Sequence, residues 1–289
     1  MQSQLHSLFD IRQKAPDMMQ RNIFLLILAF FSLSCCSKDE STDYDDFEGL
    51  QEVEGIDPVA KQTAIQACLQ SVNQGKTVGV FGGSLASNPE SAAAKMLWNK
   101  YLGMQVKTYG QQGHGFSSLQ GSIQDQVKRA GRHDIYILWC STNDYTTDRE
   151  IGLPTDYTVA DGYDERKLVT QCGGMNFCIR QLRTINPRAT IYVFGSQKFF
   201  SSTDGYTTDS KRTNGLGYQY TDYIRAQRQV AEAQGLQFFD QWNIPILREE
   251  NVERFYTSDK THMSVEGYGN IGIYQLYFLA TEQGMNISF

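Results

Sequence analysis

The sequence predicts a three-layer α/β/α sandwich built on a five-stranded parallel sheet, and three observations lead there. Short apolar runs bounded by glycine or polar turns recur at 78–81, 105–109, 134–139, 190–194 and 236–239, each of strand length. Longer segments with apolar residues at three- and four-residue spacing separate them. Strands that alternate with helices pair in parallel, with helices on both faces. At 289 residues and 40% hydrophobic composition, the chain can bury one such core as a single domain.

The N-terminus stands apart from that pattern. Arg21 precedes the apolar run 23–31, and Ser32-Leu33-Ser34-Cys35-Cys36 follows. This reads as a leader and secretory signal over 1–36, too short to span a bilayer comfortably. It resembles a bacterial lipoprotein signal, in which Cys36 (or Cys35) is lipidated after cleavage. Leu33, three positions upstream, favours Cys36, whereas the small Ser34 favours Cys35. Residues 1–17 read as a tag or an over-long gene start, with Met18 or Met19 as the expected first residue. Ser37-Lys38-Asp39-Glu40 resembles the acidic export signal of surface lipoproteins in the Bacteroidetes. The expected location is the cell envelope, lipid-anchored at the outer membrane, with membrane contact through the anchor only. Residues 37–57 carry nine carboxylates and few large apolar residues, and are expected to be an acidic flexible tether to a domain over 58–289.

Within the domain, a helix is expected from Pro58 to Val72. Strand one, Val78-Gly79-Val80-Phe81, stops at Gly82-Gly83 and presents Ser84. Ser87, Asn88, Pro89 and Glu90 carry helix-start signals, so a helix is expected over 89–102, ending at Gly103. Strand two opens into Gly110-Gln111-Gln112-Gly113-His114-Gly115, followed by a helix from Ser117 to Ala130. Strand three is the most apolar and runs into Cys140-Ser141-Thr142-Asn143-Asp144. A polar, aromatic loop over 145–164 precedes a helix over 165–185, in which Gly173 and Gly174 weaken or kink the middle. Strand four leads into a second long loop, 195–217, with Phe199, Phe200 and Tyr206. A helix over 218–233, strand five, an irregular stretch to Asp259-Lys260-Thr261-His262 and a helix over 264–282 complete the chain.

Several function classes fall away. A net charge of -6 and a pI near 5.3, with no basic run, argue against nucleic acid as a partner. Cys68, Cys140, Cys172 and Cys178 lack paired zinc spacing, so no metal is expected. Cys68 and Cys140 read as buried apolar residues, while a Cys172–Cys178 disulfide stays open. The turn after strand one lacks the Gly-Lys-Ser/Thr ending of a P-loop, and Gly110, Gly113 and Gly115 miss the dinucleotide spacing.

What remains is a constellation. Ser84, Gly113, Asn143 and the pair Asp259/His262 sit at strand ends or late loops, where open α/β folds keep their sites. Acyl transfer from a serine needs a base, a group to orient it, and donors for the oxyanion. His6 lies in the leader, His133 just before a strand and His114 in the glycine loop. Only His262 has a carboxylate three residues upstream. On a tight turn that spacing lets Asp259 accept from one imidazole nitrogen while the other faces Ser84. The amides of Ser84 and Gly113 and the Asn143 side chain are the candidate oxyanion donors.

Gly82-Gly83-Ser84-Leu85, Gly113, Thr142-Asn143-Asp144 and Asp259-Lys260-Thr261-His262 resemble the four blocks of the SGNH/GDSL hydrolases, in order, over about residues 76–282. The resemblance implies a flavodoxin-like SGNH hydrolase fold, no cofactor, Ser84 as nucleophile, Asp259 as orienter and His262 as base. It implies an oxyanion hole of Ser84, Gly113 and Asn143. Gly83 stands where the family usually has aspartate, and Ser141 where it usually has glycine. The expected activity is a serine esterase acting on small acyl esters, acetyl above all, on a carbohydrate partner. The aromatic loops at 145–164 and 198–220 are expected either to stack on sugars or to pack over the active face. A second reading, motivated by Gly83 and the rich aromatic loops, is an inactive surface lipoprotein that binds glycan through the same face.

Overall fold

The computed structural model describes residues 44–47, 49–117, 121–200 and 213–285. The expected leader, Cys35, Cys36 and the tether up to Thr42 and Asp43 lie outside the described residues. Strands β1 (Thr77–Gly82), β2 (Gln105–Thr108), β3 (Ile135–Trp139), β4 (Thr190–Phe194) and β5 (Gln237–Phe239) pair in parallel in the order β2-β1-β3-β4-β5. The order reverses at β1, since the chain steps to β2 on one side and then to β3 on the other. Crevices of open parallel sheets form at such a reversal, beyond the carboxyl ends of the two central strands.

Alternation along the strands sorts side chains to two cores. Val78, Val80, Ile135, Ile137, Trp139, Tyr192 and Phe194 face helices α1 (Pro58–Cys68), α3 (Ala92–Leu102) and α9 (Val265–Thr281). Phe81, Tyr136, Leu138, Ile191 and Val193 face α4 (Ile123–Lys128), α6 (Gln171–Ile185) and α7 (Tyr220–Ala233). Three single-turn helices, α2 (Ser84–Ser87), α5 (Asn143–Thr146) and α8 (Val252–Phe255), complete the described helices of the domain.

The expected five-stranded α/β sandwich is therefore the observed one, and the differences are local. Chain 89–102 begins as a 3₁₀ turn, Pro89–Ser91, before α3, and the Ser87 hydroxyl donates to the Gly83 carbonyl instead of capping it. Of the helix expected over 117–130, the described residues form α4, which starts at a Ser122/Asp125 capping box. Chain 165–185 splits into a 3₁₀ segment, Glu165–Val169, and α6, because the Thr170 hydroxyl caps the Gly173 amide at 3.0 Å. Gly173 and Gly174 fall in the first turn of α6 and not in the middle of a helix. A Cβ on Gly174 would lie 2.2 Å from the Phe116 carbonyl, so glycine lets α6 press against the loop after β2. Cys172 and Cys178 are both buried on α6 as free thiols, as are Cys68 and Cys140, and no disulfide joins them.

The acidic stretch is also different from its expectation. From Tyr44 onward it is not a solvated tether but lies against the domain. The Asp45 amide donates to the Val106 carbonyl at 2.7 Å, covering edge strand β2, and Phe47 is buried. Thr108 donates to Asp45 at 2.6 Å while buried Lys95 donates to Thr108 at 2.9 Å. Burial would raise the Glu52 carboxyl, but Lys61, Tyr101 and Lys100 hold it down at about 2. The carboxylates counted as solvating are thus partly ligands for lysines of the domain, which composition cannot reveal.

His133, set aside as a residue before a strand, is 1% exposed among the rings of Tyr44, Tyr109 and Tyr136. Burial, then the Lys107 charge, lowers its pKa to about 4, against an opposing pull from Asp134. An unfolded histidine titrates near 6.5, so the unfolded chain takes up this proton first as pH falls. The imidazole's contribution is complete above about pH 6.5 and drains away towards pH 4, a loss on the order of 3 kcal/mol. Urea unfolding of wild type and His133→Phe across pH 4–7 should show that the variant loses this slope.

Candidate active site

Four separate segments converge at the carboxyl ends of β1 and β3. The first is the turn that carries Ser84. Gln126 on α4, fully buried, accepts from the Gly82 amide at 3.0 Å and donates to the Gly82 carbonyl at 2.9 Å, clamping the last residue of β1. A Cβ on Gly82 would lie 2.5 Å from the Trp139 carbonyl, and one on Gly83 2.6 Å from the Asn143 side-chain amide. Close approach therefore demands two glycines here. Ser84 then opens α2, where a first-turn amide has no intrahelical acceptor. The buried Tyr268 hydroxyl of α9 fixes the turn from behind by donating to the Leu85 carbonyl at 2.9 Å.

The second segment is a short hairpin closed by an antiparallel bridge between Tyr256 and Met263 and by the Thr257 amide on the His262 carbonyl at 2.8 Å. Lys260 at its tip adopts φ +54°, which folds the chain back tightly enough for Asp259 and His262 to meet. One Asp259 oxygen accepts from the Thr257 hydroxyl at 2.8 Å and from the amides of Thr261 and His262 at 2.9 Å each. The other faces His262 Nδ1 at 2.5 Å, and His262 Nε2 lies 2.7 Å from Ser84 Oγ. Partial burial would raise the Asp259 pKa, but the His262 ring, the two amides and Thr257 outweigh it and hold it at about 2. An ionised carboxylate only accepts, so Nδ1 carries a proton and the neutral ring offers Nε2 as acceptor to the serine hydroxyl.

The third and fourth segments, the loops after β2 and β3, carry the candidate donors. Gly113 sits at φ +75° with open space where a Cβ would be, so glycine is needed for conformation alone. Next in sequence, the His114 carbonyl accepts from Asn143 Nδ2 at 3.0 Å and from Ser141 Oγ at 2.9 Å. Asn143 Nδ2 keeps a second hydrogen for another acceptor. Asp144, wholly buried, gathers the loop by accepting from the amides of Phe116 at 2.9 Å and Ser117 at 3.0 Å and from the Ser117 hydroxyl. Burial raises its pKa against those bonds. Among the described residues, the Ser84 and Gly113 amides meet no acceptor.

Ser84, His262 and Asp259 thus form one hydrogen-bonded row, and Asn143 reaches the same turn through Gly83. Sequence reasoning missed Gln126, Ser141 and Thr257. A signal existed for Gln126, since it shares the apolar face of α4 with Ile123 and Val127 at helical spacing. Among the described residues of the aromatic loops, Tyr145, Tyr157, Phe199 and Tyr220 are buried, and the exposed Tyr163 ring carries Arg180 at 3.9 Å. Tyr206 lies outside the described residues. A groove of about 520 Å³ between α6, α7 and the 154–163 loop includes none of the row's residues. The row lies open instead, with side-chain exposure of 25% at His262 and 51% at Asp259. Among the described residues, no group of three or more His, Cys, Asp or Glu side chains is placed to hold a metal, and no helix is long and apolar enough to cross a membrane.

Residues 80–269 match the family described as GDSL-like lipase/acylhydrolase. A protein from Lactobacillus plantarum superposes with a TM-score of 0.59 at 19% identity, over 71% of this chain and 97% of its own. A possible lipase from Chitinophaga pinensis superposes with a TM-score of 0.54 at 17% identity, over 68% of this chain and 95% of its own. No curated protein matches the chain.

Proposed function

The chain belongs to the GDSL-like lipase/acylhydrolase family and is a carboxylic ester hydrolase, and from that premise we propose that Ser84, His262 and Asp259 carry the reaction. The observation behind the proposal is the unbroken row Ser84 Oγ–His262–Asp259, with contacts of 2.7 and 2.5 Å. Ser84 Oγ attacks the ester carbonyl while His262 Nε2 takes its proton, and Asp259 stabilises the imidazolium that forms. The imidazolium then returns the proton to the leaving alcohol, leaving an acyl group on Ser84. Water, activated by the same ring, releases the acid and restores the hydroxyl. The amides of Ser84 and Gly113 and the free hydrogen of Asn143 receive the charge that develops on the carbonyl oxygen in both steps.

The substrate proposed is a small acyl ester, acetyl above all, on a carbohydrate, and the location a lipid anchor at Cys36 or Cys35 in the cell envelope. Support for a bulky alcohol comes from the half-open row, since an exposed triad leaves room for a polymer on the leaving-group side. The packed loops withdraw Tyr145, Tyr157, Phe199 and Tyr220 as sugar platforms, so the carbohydrate part rests on that openness. The reading as a non-catalytic binder lacks a specific observation, because the turn at Gly83 closes without a side chain there and the loop rings Tyr145, Tyr157, Phe199 and Tyr220 are buried. A series of p-nitrophenyl esters should fall in kcat/KM from acetyl to octanoyl by about 10-fold or more. A misfit methylene in a small pocket costs roughly 1–3 kcal/mol. Acetate release from acetylated xylan should accompany it. A rising series, with no acetate released, would replace the acetyl-glycan reading with a long-chain lipase.

A further inference from the structure

We propose that Ser141 is a positioning residue for the oxyanion hole, and that Gly83 and Ser141 form a matched pair in which the side chain at 141 fills the space a side chain at 83 would take. The inference rests on the reading of Ser84 and Asn143 given above.

The His114 carbonyl is the hub. It accepts from Asn143 Nδ2 at 3.0 Å and from Ser141 Oγ at 2.9 Å. With its hydrogen committed to that carbonyl, the Ser141 hydroxyl is free to accept, and the Asn143 amide approaches it at 3.3 Å. Asn143 is therefore gripped twice: its side chain by the hub directly, its backbone by a hydroxyl bound to the same hub. Ser141 is 3% exposed, so water is poorly placed to substitute for the hydroxyl. Its own carbonyl is held by the buried Ser196 hydroxyl at 3.0 Å, which in turn receives Gln227 at 2.9 Å. The hub is tied to the nucleophile strand as well, since Gln126 donates to His114 Nδ1 at 3.0 Å while clamping Gly82.

Gly83 completes the arrangement by having nothing to add. A Cβ there would lie 2.6 Å from Asn143 Nδ2, 2.7 Å from the His114 carbonyl and 2.8 Å from Ser141 Cβ. All three are closer than real Cβ atoms come. Two of the three are the donor and the hub themselves, and the third is Ser141. Gly83 and Ser141, the two departures from the family pattern, are thus neighbours in space, and a side chain at 83 would displace Asn143, the hub carbonyl or Ser141 itself.

The consequence is catalytic because an oxyanion donor acts only where it points, and a displacement of about 1 Å can cost on the order of 10²-fold in rate. Ser141→Ala leaves the Asn143–His114 bond in place, so its expected cost is about 10-fold in kcat, a part of the 10²–10³ that losing a whole donor costs. KM should stay within about twofold, since the donor acts on charge that develops after binding. Gly83→Ala should cost about 10²-fold, and the double variant Gly83→Ala/Ser141→Gly should lose less than the product of the two single losses. The assay is hydrolysis of p-nitrophenyl acetate by wild type, Ser141→Ala, Ser141→Gly, Gly83→Ala and the double variant, with circular dichroism checking that each is folded. Ser84→Ala runs beside them. An unchanged kcat in Ser141→Ala, a change in KM alone, or single losses that multiply overturns the inference while Ser84→Ala remains inactive. Activity surviving in Ser84→Ala overturns the underlying reading, and this inference with it. If Gly83→Ala does not fold, the kcat and KM of Ser141→Ala decide.

Discussion

Ser84→Ala should reduce ester hydrolysis by a factor on the order of 10⁴ or more, equivalent to about 5 kcal/mol of transition-state stabilisation. The substitution removes the atom that forms the acyl bond and leaves its surroundings standing. Gly82 and Gly83 still make their close approaches, Tyr268 still holds the Leu85 carbonyl, and the Ser84 amide is unchanged. The variant should therefore unfold at the wild-type temperature and still bind ester, with the loss in kcat. A fluorophosphonate probe should add to residue 84 in the wild type and nowhere in Ser84→Ala, read by peptide mass spectrometry. Labelling of a different residue, with activity retained, would falsify the assignment of the nucleophile.

His262→Ala is expected to be nearly as costly, because Ser84 then has no acceptor for its proton at 2.7 Å and Asp259 has no ring to orient. The pH profile distinguishes this role from a structural one. Only a neutral imidazole can take the serine proton, so wild-type activity should rise with pH on the acid side and then level off. Asp259, held at about 2, stays ionised throughout such an assay and cannot produce that acid limb. In His262→Ala the plateau should vanish, leaving a low rate that climbs with hydroxide concentration. A wild-type rate that is flat from pH 5 to 8 would remove His262 from the role of base.

The residues of the candidate site were legible in the sequence because each sits beside strong punctuation. Ser84 follows two glycines at a strand's end, Asn143 follows the most apolar run, and His262 alone has an aspartate at turn spacing. Their supports were not legible. Gln126 reads as an ordinary polar helix residue until its amide is found on both polar atoms of Gly82. Ser141 reads as a departure from a pattern until Gly83 is found against it. Tyr44 to Asp57 misled for a related reason. Carboxylates look solvated in a one-dimensional reading, and only the fold brings Lys61, Lys95 and Lys100 to them. Composition also counted aromatic rings without saying which way they face, which left sugar stacking and packing equally open for the tyrosine-rich loops.

Ser84 and His262 are anchored with unequal strength. Ser84 is continuous with a strand buried on both faces, whereas the hairpin bearing Asp259 and His262 leans on the Phe200 amide at the Lys260 carbonyl and on the Tyr256 hydroxyl at the Lys198 carbonyl. A small structure of that kind can fray while the sheet stays intact. Mild denaturant or warming would then silence the molecule reversibly before it melts, and the gap between those two transitions would measure how loosely this half of the machinery is docked.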